Sequence, residues 1–428
     1  MSPNRVAYIL GSLAELSGHL AKLNIPLLIR TAATPAKVAG VVAQVAKEVE
    51  AENVHAGIEY EINEAARDAA TATALGKQGG KLQLHHDQVI LTPGTVLTGS
   101  DKPYTVFTPF KNNWFKVLAA SGGVRTLPAV KAQPQTGLVS DAVPEKVAGF
   151  EPLCDGSFFA PGQTAAHKRL TEFVQSRLSG YKANRDTPSV PGTSRLSAAL
   201  ASGVISPRVC LQMAAEANGG KLDGGDLGAQ TWISELVWRE FYKHVLEAFP
   251  RVCMNRAFKP GWDRVKWIDN AEWLEAWKRG RTGYPIVDAA QRQLLATGWM
   301  HNRLRMITAM FFTKDLLADW RLGESHFMRH LVDGDLSANN GGWQWSAGVG
   351  TDAAPYFRIF NPTTQSEKFD PQGTFIRKYV PELAELDAKT IHDPPPLVRM
   401  RLNYPMPIVD HGEARERTLK AYKAAAVS

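Results

Sequence analysis

Hydrophobic periodicity changes character once along this chain, and that change bounds what it can fold into. Up to residue 124, short apolar runs alternate with amphipathic segments. IPLLIR (25–30), VHAGIEY (54–60) and LQLHHDQVILT (82–92) read as strands, and helices are expected over 3–23, 35–52 and from Ile62 onward. Such alternation implies an α/β domain with a parallel, doubly wound sheet. The sheet is short, with three countable strands and a helix before the first. Beyond residue 150 the Val/Ile alternation fades. Helices are expected at 164–180, 195–201, 206–217, 229–248, 270–279, 286–296, 300–319, 324–332 and 372–379. Ser206 before Pro207 is one clear start signal. The expected organisation is an α/β domain (1–124), a Gly-, Pro- and Ala-rich connector (125–165) and a large all-α domain (166–428).

Composition narrows the class without deciding it. The 428 residues are 44% apolar, enough for large cores, and carry a net charge of +7, compatible with a polyanionic partner or with plain surface charge. Cys154, Cys210 and Cys253 are far apart and odd in number, which argues against a disulfide framework and fits a reducing compartment. No HExxH or HxH spacing occurs, so no metal site is expected. No apolar run reaches the ~18 residues of a membrane span. Ten of the eleven tryptophans fall between Trp232 and Trp345. Part of that cluster must be core; stacking or redox chemistry is the other use for it.

Several stretches mix chemistry that an ordinary core stripe lacks. Asn302, Arg305 and Met306 share a helix face at i, i+3 and i+4. DGDLSANNGGWQW (333–345) reads as a loop with two acids, two amides and two glycines, closed by Trp343 and Trp345. Arg305 is a natural counter-ion for Asp333 or Asp335. PGTSRLSAAL (191–200) sets Thr193, Ser194, Arg195 and Ser197 at a loop-to-helix junction, either as an anion site or as mere capping. On the helix 232–246, Ile233, Val237, Phe241 and Val245 form an apolar edge, with Glu235, Trp238, Arg239 and Tyr242 on another face. Glu235 beside Trp238 suits a base pocket; a surface pair with Arg239 is the plainer alternative. Basic runs at 264–267, 278–298 and 300–305 fit a phosphate-tracking groove or a solvated surface. Arg358, Asn361 and Gln365 lie where they could reach backbone or bases.

GTSRLS, WREFYKH, TGYPIVDAA, GWMHNRLRMI, DGDLSANNGGWQW and YFRIFNPTTQSEKFD occur in that order. Together they resemble the photolyase/cryptochrome family, nearest in pattern to the bacterial class I photolyases that repair cyclobutane pyrimidine dimers. The resemblance covers the chain from about residue 20 and is densest from 180 to 385. It implies FAD held in the helical domain by Tyr181, Thr193, Ser194, Arg195, Leu196, Ser197, Trp232, Glu235, Arg239, Arg305, Asp333, Asp335 and Asn339. It implies damaged DNA held by Arg185, Glu235, Trp238, Asn302, Arg303, Met306, Trp345 and Gln365, with the dimer flipped out of the duplex. The implied reaction is light-driven electron transfer from reduced FAD to the dimer. Glu235 and Asn302 act on the lesion, and Trp267, Trp320 and Trp343 match the chain that photoreduces the flavin. The alternative within the family is a blue-light receptor that binds FAD and does not repair.

Two departures accompany the resemblance. The family opens with a strand bearing a WFRxDLRxxDN-like motif, so this chain is expected to lack about the first 45 residues. Asn63, Glu64 and Cys253 match contacts of a folate antenna, but Met254 stands where a Lys is expected, so that site carries over only in part. A monomer acting on DNA in the bacterial cytoplasm is the expected setting.

Overall fold

The computed structural model describes residues 1–427. Ser2 caps the first helix, α1 (Pro3–Ala21), by accepting from the Asn4 N–H, and Pro3 takes a place that needs no donor. α1 is moored to the helical body. Asn4 donates to the His330 carbonyl at 2.8 Å, and Arg5 donates to the carbonyls of Gly334 (2.5 Å) and Ala201 (2.6 Å). Next come α2 (Val38–Glu48), β1 (Asn53–Gly57), α3 (Ile62–Gly76) and β2 (Lys81–His85). The strands pair in parallel from Asn53↔Lys81 to Gly57↔His85. Ala43, Ala46 and Leu75 pack with Val54 and Leu82 beneath one face of the pair. Asn53, His55, Lys81, Gln83 and His85 line the opposite face and are exposed, as the period of two dictates.

Two strand expectations fail here. IPLLIR is extended but joins no sheet. Its partners are in the segment 133–141: Leu27 N–H donates to the Ser140 hydroxyl at 3.0 Å, and Ile29 N–H to the Asp141 carboxylate at 2.7 Å. The Asp141 N–H returns one backbone bond to the Leu27 carbonyl at 2.9 Å, but side chains supply the other contacts and no ladder forms, and Pro26 has no donor to offer one. The expected strand 82–92 stops at His85. The N–H groups of Ile90 and Leu91 point instead at the carboxylate of Glu240, at 2.6 and 2.8 Å.

The remaining order is α4 (Phe107–Ala120), α5 (Gln163–Ser176), α6 (Tyr181–Asn184), α7 (Ser197–Ala201), α8 (Pro207–Ala217), α9 (Leu227–Ala248), α10 (Ala271–Lys278), α11 (Pro285–Thr297), α12 (Asn302–Met310), α13 (Trp320–His330), α14 (Leu336–Ala347), α15 (Pro362–Phe369), α16 (Thr374–Tyr379), α17 (Pro396–Arg401) and α18 (His411–Val427). Residues 121–162 contain neither helix nor strand. Ile233, Val237 and Phe241 of α9 are fully buried, as the apolar edge requires, and share a cluster with Phe107, Phe110 and Trp114 of α4. Ser206 caps α8 as its position before Pro207 predicts.

Three helical expectations need correction. The helix expected over 164–180 ends at Ser176 and resumes as α6. The one expected over 300–319 leaves α12 through a π-helical turn, Phe311–Asp315, and restarts at Trp320 under an Asp319 cap. The C-terminal helix takes the carbonyls this turn frees: Thr418 donates to Lys314 O and Arg417 to Asp315 O, each at 2.5 Å. The third correction is the largest. Residues 333–345 are mostly helix, because Asp335 caps α14 by accepting from the Ala338 N–H at 3.2 Å. Weak formers such as Asn and Gly are tolerated there since tertiary packing overrides propensity. A Cβ at Gly341 would lie 2.3 Å from the Tyr242 ring, and one at Gly323 would lie 2.1 Å from the Trp343 ring. These glycines admit aromatic rings from this chain.

Glu240 ties the α/β part to the helices. Its buried carboxylate also accepts from Trp114 Nε1 at 2.6 Å. Replacing it by alanine orphans three buried donors at ~1–3 kcal/mol each. Glu240→Ala is therefore expected to lower the unfolding midpoint sharply in a denaturant melt, and a midpoint within error of the parent's contradicts this role.

Candidate active site

α9 forms one wall. Trp232 is buried against Phe173, with ring centroids 5.1 Å apart. Trp238 stacks on Phe107 at 3.6 Å and 9° between planes. Arg239 donates to the carbonyls of Gln88 (2.5 Å) and Leu200 (3.2 Å), so the simple Glu235–Arg239 surface pair is not formed. Glu235 pairs instead with Arg185, Nη1 to Oε1 at 2.5 Å. Burial pushes the Glu235 carboxyl up, and the Arg185 guanidinium pulls it back. Yet 31% of its side chain is reachable by solvent. A group so densely surrounded and still accessible lines a cleft.

α12 and α14 form the facing wall. Arg305 grips Asp333 with Nη2 at 2.7 and 3.0 Å from the two oxygens, and its Nε donates to the Met300 carbonyl at 2.8 Å. The expected counter-ion pair is therefore present. The second acid diverges: Asp335 faces α9 and accepts from Lys243 Nζ at 2.9 Å. Burial would raise the Asp335 carboxyl. The Lys243 ammonium, then Arg239, and the Ser337 hydroxyl outweigh that and hold it far below the usual carboxylate range. Asn339 donates to the Glu324 carbonyl at 3.1 Å. Glu324 itself is pushed up to about 7 by burial, opposed by a hydrogen bond from Asn340.

The junction before α7 closes one end. Leu196 is the N-cap residue and no side chain caps the helix. Thr193 and Ser194 are thus free of the capping role, and neither they nor Ser197 hydrogen-bonds through its side chain to any described residue. Arg195 holds a left-handed backbone at φ 52°. Its guanidinium lies 4.8 Å from the Phe158 ring centroid, and its Nε is buried without a partner. Burial, then like charge from Arg169 and Arg177, lowers its pKa. Three guanidiniums beside unpaired hydroxyls describe a place for an anion. Tyr181, buried, lies under the Arg185 guanidinium at 5.5 Å.

The rim carries the remaining expected residues. Arg303 pairs with Asp186 at 2.8 Å, lies 4.4 Å over the Phe369 ring and touches the Met306 sulfur at 3.6 Å. Asn302, Trp345 and Gln365 are at least part-exposed, and their side chains hydrogen-bond to nothing among the described residues. His301 accepts from the Arg303 N–H, and burial pushes its imidazole down to about 4, so it stays neutral.

The three matching tryptophans do not pack ring on ring. Trp343 touches Trp277 (6.0 Å), Phe312 (5.8 Å) and Phe327 (5.0 Å). Trp320 is one turn from Gly323, which abuts Trp343. Trp267 touches Tyr422 at 6.1 Å. Tyr60 shares a small cluster with Val252 and Cys253, which places the segment holding Asn63 and Glu64 near that cysteine. No three His, Cys, Asp or Glu side chains gather as metal ligands among the described residues. Sequence reasoning missed Lys243 and Glu240. Lys243 stands four residues after Arg239, the spacing that puts both on one face, and that signal was readable.

Comparison with known proteins gives this geometry a family. The model "DNA photolyase" matches residues 1–134, and "FAD binding domain of DNA photolyase" matches 232–424. The Escherichia coli deoxyribodipyrimidine photo-lyase is 46% identical, over 99% of this chain and 89% of its own length. A bacterial class III photolyase structure from Agrobacterium tumefaciens superposes with a TM-score of 0.83 at 36% identity, covering 100% of this chain and 89% of that one. A Synechocystis cryptochrome superposes at 0.84 with 27% identity, covering 98% and 89%.

Lys243 is almost wholly buried, so its removal leaves Asp335 as an unpaired buried charge. Lys243→Met is expected to cost ~3–5 kcal/mol in a denaturant melt, with Lys243→Met/Asp335→Asn recovering most of it. The pair stabilises the fold above the unfolded carboxyl pKa of ~3.9 and is lost as pH falls through the lowered folded value. The gap between parent and Lys243→Met should therefore narrow in acid. A gap constant down to pH 2 contradicts this assignment.

Proposed function

The chain belongs to the DNA photolyase family, and from that premise we propose that it is a deoxyribodipyrimidine photo-lyase working with FAD on cyclobutane pyrimidine dimers in DNA. The observation that carries the reading is the set of polar side chains with no hydrogen-bond partner among the described residues. Thr193, Ser194, Ser197 and the buried Arg195 Nε stand unpaired at one end of the cleft, and Asn302, Trp345 and Gln365 at its rim. A dinucleotide and a flipped base pair would complete them.

In this reading Thr193, Ser194, Arg195, Leu196 and Ser197 hold the FAD phosphates. Tyr181, Trp232, Glu235, Arg239, Asp335, Asn339 and the Arg305–Asp333 pair frame its rings and linker. When bound in its reduced form, the flavin supplies the photochemistry, lending the dimer an electron under light and taking it back once the cyclobutane bonds open. The chain's residues bind, orient and exclude water. Trp238, Met306 and Trp345 pack on the lesion, and Asn302 and Gln365 reach bases or backbone. Arg185 and Arg303 meet phosphates, so affinity should fall with salt. Glu235, its carboxyl pushed up by burial, donates a hydrogen bond to a carbonyl that becomes anionic. Trp343, Trp320 and Trp267 serve to keep the flavin reduced. The reading extends to a monomer acting in the cytoplasm. Because Met254 is exposed where the antenna pattern has a Lys, repair is assigned to FAD without need of folate.

The test is repair of a dimer-containing oligonucleotide by reduced holoenzyme, in blue light and in darkness. Light-dependent repair is expected. Glu235→Ala should lower it about tenfold or more, as loss of a donor to developing charge does. Glu235→Gln, which keeps a donor, should lower it less. Full flavin occupancy with no repair would move the chain to the receptor reading.

A further inference from the structure

One buried donor at the cleft belongs to a residue with another task. His301 stands just before α12 and caps it: its Nδ1 accepts from the Arg303 N–H at 3.2 Å. Helix starts favour Ser, Asp or Asn for this bond, and histidine is not among the preferred caps. What histidine adds is a second nitrogen on the far side of its ring. His301 is 2% exposed, and its Nε2 is buried with no hydrogen-bond partner among the described residues. Since Nδ1 accepts, the proton of the neutral imidazole is on Nε2, and the unpaired atom is a donor. Burial pushes the imidazole down to about 4; the guanidiniums of Arg305, Arg303 and Arg195 add to that and Asp186 opposes it, so the neutral ring is the form present near pH 7.

Packing sets this donor beside the hydroxyl junction. Trp299, two residues earlier, shares a small cluster with Ala198 of α7, the neighbour of Ser197. The Trp299 ring meets the His301 imidazole edge-on at 6.1 Å, and the Arg195 guanidinium lies 5.8 Å from the Trp299 centroid. Arg195 Nε is itself buried without a partner. Of the guanidiniums that bear on His301, Arg303 is matched by Asp186 and Arg305 by Asp333. Arg195 instead feels like charge from Arg169 and Arg177. Unmatched positive charge beside two unpaired N–H groups selects an anionic acceptor. We propose that the Nε2–H of His301 acts with the Nε–H of Arg195 to hold a phosphate of the bound dinucleotide, which makes His301 a cofactor-binding residue as well as a helix cap. The inference rests on the FAD reading above and adds a contact from α12 to those of the Thr193–Ser197 junction.

Two substitutions separate the two tasks. His301→Asn keeps an acceptor for the Arg303 N–H and removes the far donor. His301→Gln carries an amide N–H toward the Nε2 position and is a poor cap. Flavin-free full chain is titrated with FAD, followed by flavin fluorescence, and each variant is melted without FAD. His301→Asn should weaken FAD binding about tenfold or more, as loss of a hydrogen bond to a charged group does, and should keep the parent's unfolding midpoint. His301→Gln should bind FAD close to the parent's affinity and melt at a lower midpoint. Riboflavin, which carries the rings and no phosphate, should bind the parent and His301→Asn alike. Parent-like FAD affinity in His301→Asn, or equal losses for FAD and riboflavin, overturns the proposal while leaving the FAD reading in place. A parent chain that takes up no FAD removes that reading, and this inference with it.

Discussion

The ammonium of Lys243 against the carboxylate of Asp335 fixes how α9 and α14 face each other, and the cleft depends on that spacing. The contact is 2.9 Å long and nearly buried. Asp335 also caps α14, so one carboxylate sets both the start of that helix and its distance from α9. Gly341 then lets the Tyr242 ring settle against the helix backbone. From this frame α9 presents Trp232, Glu235, Trp238 and Arg239, while α14 presents Asn339, Trp343 and Trp345. A buried ion pair adds little net stability over an apolar pair. Its use here is positional: it fixes the register in which α9 and α14 pack on each other.

Much of the helical body was legible because its signals are local. Ile233, Val237, Phe241 and Val245 repeat at helical spacing and are buried together, and Ser206–Pro207 marks a start that the structure confirms. The failures share a cause in distant partners. IPLLIR has strand composition, yet its N–H groups find Ser140 and Asp141 over a hundred residues away. The strand expected over 82–92 ends at His85, and the N–H groups of Ile90 and Leu91 beyond it go to Glu240 instead of a ladder. α14 looks like a loop until the ring of Tyr242 gives Gly341 a reason to be small.

The cleft was legible to the same extent. Arg305 and Asp333 pair as opposite charges on neighbouring segments suggest, and the hydroxyls before α7 prove unneeded for capping. The partner of Glu235 was not visible, since Arg185 is fifty positions away. Nor was the buried Lys243 distinguished from a surface lysine, because burial is a tertiary fact. Trp320 and Trp343 are buried in the large helical core and Trp267 packs against it, with no ring contact among the three that composition could have signalled.

In the proposed reading, side chains left without partners among the described residues are the partners of FAD. Titration of the flavin-free protein with FAD, followed by quenching of flavin fluorescence, tests it most directly. One FAD per chain is expected. Arg195→Ala should weaken binding ~10–100-fold, as loss of charged hydrogen bonds worth ~1.5–3 kcal/mol implies. Unchanged affinity in Arg195→Ala, with the fold intact, contradicts the claim.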